Sequence, residues 1–265
     1  MCRIIVSISS DIGSALGERW KVKGHDVVGT SRTPNSGLIF PTVKCDLASR
    51  ESKIDVVREL LSLSSDGKWD VLVLAAGTQE PIGSFREINF QDWTKSLHVN
   101  LISQLELLHL LMPYSRKGSR VVMFAGGGTN GPVDYYSAYT LAKIASIKIC
   151  ELLASEEPEM GFTILGPGWV RTKIHEQTIA AGPQAARANY ERTLAMLSGK
   201  DMVPMVKVLD WIDWIIEQPL EVVSGRNFSA AFDPLGNPAL VRALTDDVGM
   251  FKLRRSGNSQ IWKND

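Results

Sequence analysis

Tyr139 and Lys143 stand four residues apart in the run Tyr139-Thr140-Leu141-Ala142-Lys143. In a helix that spacing puts a phenol and an ammonium on one face. A tyrosine hydroxyl, with an ordinary pKa of about 10, is a poor acid or base near neutrality, but a neighbouring cation favours the phenolate and lowers that value. The pair is therefore suited to carry a proton in hydride chemistry. On a wet helix the same two residues would be an aromatic and a surface charge, so position decides between the readings. Here they follow the apolar run Val121-Val122-Met123-Phe124 and the glycines Gly126-Gly127-Gly128. That order starts a helix beside the carboxyl ends of strands, where open α/β sheets bind their ligands.

The elements that must place this pair are legible as an alternation of strand-like and helix-like stretches, the mark of a parallel sheet wrapped by crossover helices. Strands are expected at Arg3–Ser9, Asp26–Ser31, Pro41–Cys45, Asp70–Ala75, Ser119–Ala125, Gly161–Gly166 and Arg226–Ala231. Several are unbroken apolar runs, such as Val71-Leu72-Val73-Leu74, as expected where helices cover both sheet faces. Helical stripes recur at Ile12, Leu16 and Trp20, at Leu97, Leu101, Leu105, Leu108 and Met112, and at Val206, Leu209, Ile212 and Ile216. The expected fold class is α/β, a doubly wound parallel sheet of about seven strands, as one domain over residues 1–265. Two regions escape the alternation: an insertion at Thr172–Lys200 and a C-terminal extension at 234–265.

The chain has 265 residues, 44% hydrophobic and 22% charged, which is ordinary globular composition. Its 29 basic and 29 acidic residues cancel, leaving no global field to gather nucleic acid or anionic lipid. Neither nucleic acid nor membrane is an expected partner. Cys2, Cys45 and Cys150 have no metal-binding or disulfide spacing, so they read as reduced thiols, with no metal site. The apolar start Ile4-Ile5-Val6 is too short to span a membrane or to act as a signal core, which makes the cytoplasm the expected location.

With the Tyr-x-x-x-Lys pair in this setting, the chain resembles the short-chain dehydrogenase/reductase family from Arg3 to about Asp233, in matching order. That resemblance implies a Rossmann-like fold and a nicotinamide cofactor. It makes Tyr139 and Lys143 the catalytic pair and implies that Asn100, in His98-Val99-Asn100-Leu101, holds a water beside the lysine. Pro167-Gly168-Trp169-Val170-Arg171-Thr172 resembles the Pro-Gly turn after the sixth strand, with Val170 and Thr172 against the nicotinamide amide. Ala75-Ala76-Gly77 resembles the Asn-Asn-Ala-Gly motif with its asparagines lost. Asp46-Leu47 matches the pair that borders the adenine.

The chain departs from the family at two places. Val6-Ser7-Ile8-Ser9-Ser10-Asp11-Ile12-Gly13 occupies the Thr-Gly-x-x-x-Gly-x-Gly segment, and only Gly13 remains of its glycines. A turn without glycine is harder to bring close to a pyrophosphate. Asp11, a good N-cap type, would compete with phosphate for the same N–H groups. The segment is read as a divergent cofactor loop of Ser9, Ser10, Ile12 and Gly13, with the serine hydroxyls replacing lost backbone contacts. The second departure is Gly126, which stands where the family places the serine that partners the tyrosine; Thr129, Asn130 or Ser137 could take its place, Thr129 being preferred for its donor and acceptors.

At the end of the second strand, Gly29-Thr30-Ser31-Arg32 offers an arginine where an NAD enzyme offers an acid, which points to NADP rather than NAD. The insertion corresponds to the family's substrate cover. Its His175, Glu176, Gln177, Arg187, Tyr190 and Arg192 suit a polyhydroxyl or anionic small molecule, and the wording of several segments resembles a branch associated with bacterial surface-carbohydrate metabolism. The expected activity is NADP-dependent hydride transfer on a carbonyl/alcohol pair, on a sugar derivative in this reading. A nucleotide-binding protein without catalysis, or an epimerase or dehydratase on the same scaffold, stays open. The resemblance further implies a homodimer or homotetramer built on two long helices, Phe90–Met112 and Asp134–Ala154.

Overall fold

The computed structural model describes residues 1–33 and 37–256. The end of the C-terminal extension expected at 234–265 lies outside the described residues. Seven strands form one sheet: β1 (Cys2–Val6), β2 (Asp26–Ser31), β3 (Thr42–Lys44), β4 (Trp69–Leu74), β5 (Ser115–Phe124), β6 (Gly161–Gly166) and β7 (Arg226–Ser229). Their spatial order is β3-β2-β1-β4-β5-β6-β7, and every pairing is parallel. The chain order reverses between β1 and β4, so a crevice opens at their carboxyl ends.

Strand residues alternate between two cores, one on each face of the sheet. On one face Ile4, Val6, Leu72 and Leu74 pack with helices α2 (Ile54–Ser62), α4 (Ser103–Leu111) and α5 (Ser137–Glu156). On the other, Ile5, Val71 and Val73 pack with α1 (Asp11–Val22), α8 (Met205–Glu217) and α10 (Pro238–Asp246). Trp20, Trp69, Trp211, Phe162 and Phe228 are all fully buried. Burial of such a side chain is worth roughly 1.5–3 kcal/mol or more in the transfer term alone, so both cores are strongly anchored.

The number of strands and their parallel pairing match the expected fold, and boundary shifts have local causes. β1 ends at Val6 rather than Ser9 because Ser7 takes a φ of +62°, which no strand accommodates. α5 begins at Ser137 rather than Asp134, after Tyr135 at φ +69°. The helix expected over Phe90–Met112 is three pieces: α3 (Phe90–Leu97), a π-helical turn (His98–Ile102) and α4. A π turn inserts one residue and so rotates the helical turns beyond it. The fully buried face becomes Ser96, Asn100, Ser103, Gln104, Leu107, Leu108 and Leu111, while Leu97, Leu101 and Leu105 of the expected stripe are half-buried.

The insertion folds as α6 (Ile174–Ala186), kinked at Gly182 with φ +76°, and α7 (Ala188–Ser198). Between α8 and β7 lies the short α9 (Leu220–Val223). The chain after Asp233 packs instead of trailing: Leu240 and Leu244 of α10 are buried in the second core. The buried Arg226 guanidinium donates to the carbonyls of Leu244 (2.5 Å), Met250 (2.8 Å) and Asp247 (3.0 Å), and so closes the end of α10. Among the described residues no helix is long and apolar enough to cross a membrane.

Candidate active site

The first turns of α5 start beyond the carboxyl end of β5, and they carry both members of the Tyr-Lys pair. Lys143 is buried, and its Nζ lies 5.6 Å from the centroid of the Tyr139 ring, over its face. Tyr139 as a whole is half-buried, but its hydroxyl end is driven deep against Gly126. A Cβ at position 126 would stand 2.7 Å from the tyrosine Oη and 2.8 Å from Cε1. Glycine at this position is thus a steric requirement of the observed ring position, as well as the loss of a hydroxyl.

The expectation that the ammonium lowers the tyrosine pKa is not met in this arrangement. Burial is the dominant influence: it pushes the Tyr139 phenol up to about 12. The same loss of hydration brings the Lys143 ammonium down to about 8. An ammonium over the ring face, away from the oxygen, offsets little of the cost of stripping water from a phenolate. The phenol is therefore protonated throughout the physiological range.

Asn100 sits in the π turn, buried, with its amide spent on the loop after β4. Its Oδ1 accepts from Thr78 N (2.9 Å), and its Nδ2 donates to Thr78 O (2.8 Å) and Ser96 O (3.0 Å). A cavity of about 10 Å³ lies between Asn100, Lys143, Ser146 and Phe124. That volume admits the centre of one water. Asn100 and Lys143 thus line the same small void, together with Gln104, Ser146 and a majority of apolar side chains.

Loop and cover are joined by contacts that no sequence pattern marks. Gln177 Oε1 accepts from Gln79 N (2.6 Å), Thr178 Oγ1 donates to Gln79 Oε1 (2.9 Å), and Tyr136 Oη and Thr178 Oγ1 are 2.8 Å apart. Helix α6 is thereby tied to the residues that hold Asn100. Thr78, Gln79, Tyr136 and Thr178 were missed in the sequence because their partners are some 22 to 99 residues away. His175, read as a substrate contact, is buried, stacked on Trp169 at 5.0 Å, with Nε2 2.8 Å from Val170 O. Arg192 covers Trp169 at 5.6 Å. His175, Gln177 and Arg192 are engaged within the protein itself.

Along the crevice, Ser10 is the N-cap of α1, not Asp11: its Oγ accepts from Gly13 N at 3.1 Å. The hydroxyl proton of Ser10 stays available to donate. Ser9 Oγ and Ser31 Oγ lie 3.1 Å apart, and because Ser31 spends its proton on Thr33 O (3.0 Å), Ser9 is the donor of that pair. Gly13 is buried, and a Cβ there would stand 2.6 Å from Ser7 O, so the one glycine left is the one the turn requires. Ile12 is half-buried beside it, and Arg32 is exposed just past the end of β2. Asp46 Oδ1 is turned back on Ala48 N (2.9 Å), and Leu47 is buried. Ala75 and Ala76 lead from the end of β4 to Gly77, where an added Cβ would find nothing closer than 3.6 Å. Past β6, Pro167 leads into Gly168 at φ +75°, Val170 is buried and Thr172 is half-exposed. Thr129 is half-buried in the glycine loop, while Ser137 Oγ is taken as acceptor by Trp93 Nε1 (3.0 Å).

The lysine shift fixes a stability trend. Folded Lys143 gives up its proton near pH 8 and the unfolded side chain near 10.5, so between these values the unfolded chain binds more protons and rising pH favours the fold. Urea denaturation at pH 7, 8.5 and 10 is expected to show wild type gaining stability relative to Lys143→Met across that window. A constant difference between the two proteins would contradict the buried ammonium.

Comparison with known proteins agrees with this arrangement. The pattern of the short chain dehydrogenase family matches residues 4–181, more than half of the chain. An uncharacterized oxidoreductase of Schizosaccharomyces pombe is 30% identical over 180 residues, 64% of this chain and 71% of that one. A short chain dehydrogenase/reductase from Saccharomyces cerevisiae shares the fold with a TM-score of 0.77 at 21% identity, over 90% of this chain and 97% of the other. An actinorhodin polyketide ketoreductase variant solved with NADPH gives 0.71 at 18% identity, over 86% and 94%. The extent of the family match, carried on a seven-stranded parallel sheet of this order, establishes that the chain belongs to the short-chain dehydrogenase/reductase family and is an oxidoreductase of that type.

Proposed function

We propose that this protein is an NADP-dependent reductase that delivers hydride to the carbonyl of a small molecule, with Tyr139 as the proton donor. The observation that carries the reading is the phenol kept protonated beside a buried ammonium at the carboxyl ends of the strands. A donor that stays protonated at neutral pH suits reduction, in which the substrate oxygen gains a proton as its carbon gains hydride.

The crevice fits a dinucleotide best at its two ends. Arg32, exposed at the end of β2 with no acidic residue in Gly29-Thr30-Ser31, suits a 2′-phosphate. Asp46 and Leu47 would border the adenine, and Ala75, Ala76 and Gly77 leave open backbone for its ribose. Ser9, Ser10, Ile12 and Gly13 would meet the pyrophosphate, Pro167, Gly168, Val170 and Thr172 the nicotinamide amide, and Tyr139 and Lys143 the second ribose. When bound, NADPH supplies the hydride. Tyr139 Oη gives its proton to the substrate oxygen, and the Lys143 ammonium, 5.6 Å from the ring centroid, is the cation beside the phenolate left behind. A water in the cavity at Asn100 and Lys143 returns the proton. Gly126 offers no hydroxyl to orient the substrate oxygen, so Thr129 is the side chain assigned to that task.

The substrate is a carbonyl/alcohol pair. The polar cover argues less for a sugar derivative than its composition implies, because His175, Gln177 and Arg192 are engaged internally. Assembly follows the family habit, as a homodimer or homotetramer. Ile102, in the π turn, and Leu141 and Leu152 of α5 are 47%, 48% and 45% exposed and would be covered in such an assembly.

NADPH is expected to bind more tightly than NADH, and Arg32→Glu should abolish that preference in a fluorescence titration; unchanged NADPH affinity in the variant would refute the cofactor assignment. Tyr139→Phe should lower turnover of a carbonyl substrate about 10²–10⁴-fold while leaving NADPH affinity nearly intact, whereas Lys143→Ala should damage both. Near wild-type turnover in Tyr139→Phe would leave a cofactor-binding protein without this chemistry. Sedimentation at micromolar concentration should give a dimer or tetramer, and a monomer would sink the assembly.

A further inference from the structure

The segment between the two ends of the crevice holds a feature that the dinucleotide reading does not explain. Asp11 is the first residue of α1, behind the Ser10 cap. Its Oδ2 accepts from the backbone N–H of Lys173 at 2.8 Å, across 162 residues of sequence. Lys173 directly follows the Pro167–Thr172 turn and directly precedes α6. The bond therefore spans the crevice, from the loop after β1 to the turn after β6.

We infer that Asp11 is a carboxylate strut which the cofactor pyrophosphate has to displace, so that this side chain lowers dinucleotide affinity. The inference rests on the dinucleotide reading above. A cofactor that reaches from Arg32 to Val170 and Thr172 must carry its pyrophosphate between the start of α1 and Lys173, where the Asp11 carboxylate now lies. Two anions cannot share that space cheaply: the N–H groups at the start of α1 and at Lys173 attract either one, and like charges at close range repel. Ser10 does not relieve the conflict: its free hydroxyl proton can meet a pyrophosphate but leaves the Asp11 charge in place. Displacing the strut also frees the first residue of the cover. The rest of α6 keeps its own ties through Gln177 and Thr178, so the cover stays attached at its middle.

The test titrates full-length wild type, Asp11→Ala and Asp11→Asn with NADPH and with NADH, followed by nucleotide fluorescence. Hydrogen exchange at the Lys173 amide is measured alongside in the unliganded proteins. Both variants are expected to bind NADPH about tenfold more tightly than wild type, with Asp11→Asn deciding if the two differ because it keeps size and loses only charge. The Lys173 amide should exchange faster in Asp11→Ala than in wild type. Unchanged or weaker NADPH binding in Asp11→Asn, while wild type binds, would overturn the strut's role, and equal Lys173 exchange in wild type and Asp11→Ala would deny the strut itself. Failure of all three proteins to bind either nucleotide is a different pattern: it would remove the dinucleotide reading and the inference with it. If Asp11→Ala melts too low to assay, Asp11→Asn carries the nucleotide readout and Asp11→Gly, which also removes the acceptor, carries the exchange readout.

Discussion

The contact between the Tyr139 ring and the backbone of Gly126 fixes more of this site than any other. It seats the first turn of α5 against the end of β5, and a Cβ at position 126 would force the ring to shift. The burial of the phenol oxygen depends on it, as does the placing of the Lys143 ammonium over the ring face at 5.6 Å. A glycine that looks in isolation like a lost catalytic serine is, in the folded protein, the space that the tyrosine occupies.

Burial and charge act on this pair in opposite directions, and burial prevails. A phenolate with its hydration removed and its cation off the oxygen is costly, which keeps Tyr139 protonated. An ammonium in the same surroundings gives up its proton more readily. The unliganded site is thus set as an acid with a weakened cation behind it, a state matched to giving a proton away. The water-sized cavity shared by Asn100 and Lys143 suits the proton's return.

Polar side chains around the site are largely committed to one another. Asn100 holds Thr78, the adjoining Gln79 meets Gln177 and Thr178, and Thr178 meets Tyr136. This network gives the cover a defined position over the crevice before anything binds. It also removes from substrate recognition several residues whose composition suggested it. Polarity on a cover helix is evidence of hydrogen bonding, and only its partners say with what.

Central strands such as β1 and β4 were legible in the sequence because a strand buried on both faces must be a continuous apolar run, whereas the short edge strands β3 and β7 were legible from their place in the strand–helix alternation. The Tyr139–Lys143 pair was legible because i, i+4 spacing on a helix after β5 leaves one geometric outcome. The π turn at His98–Ile102 was not, since an apolar stripe at mixed three- and four-residue steps reads equally well as one regular helix; in the fold this turn carries Asn100 to its hydrogen bonds with Thr78. Nor did local pattern contain the Asp11 bond to Lys173, the tie between α6 and the loop after β4, or the direction of the tyrosine shift. Each depends on groups that chain folding brings together across tens to more than a hundred residues, and on how much water is then excluded. Periodicity encodes which face of an element is buried, while the tertiary structure alone decides what that face meets.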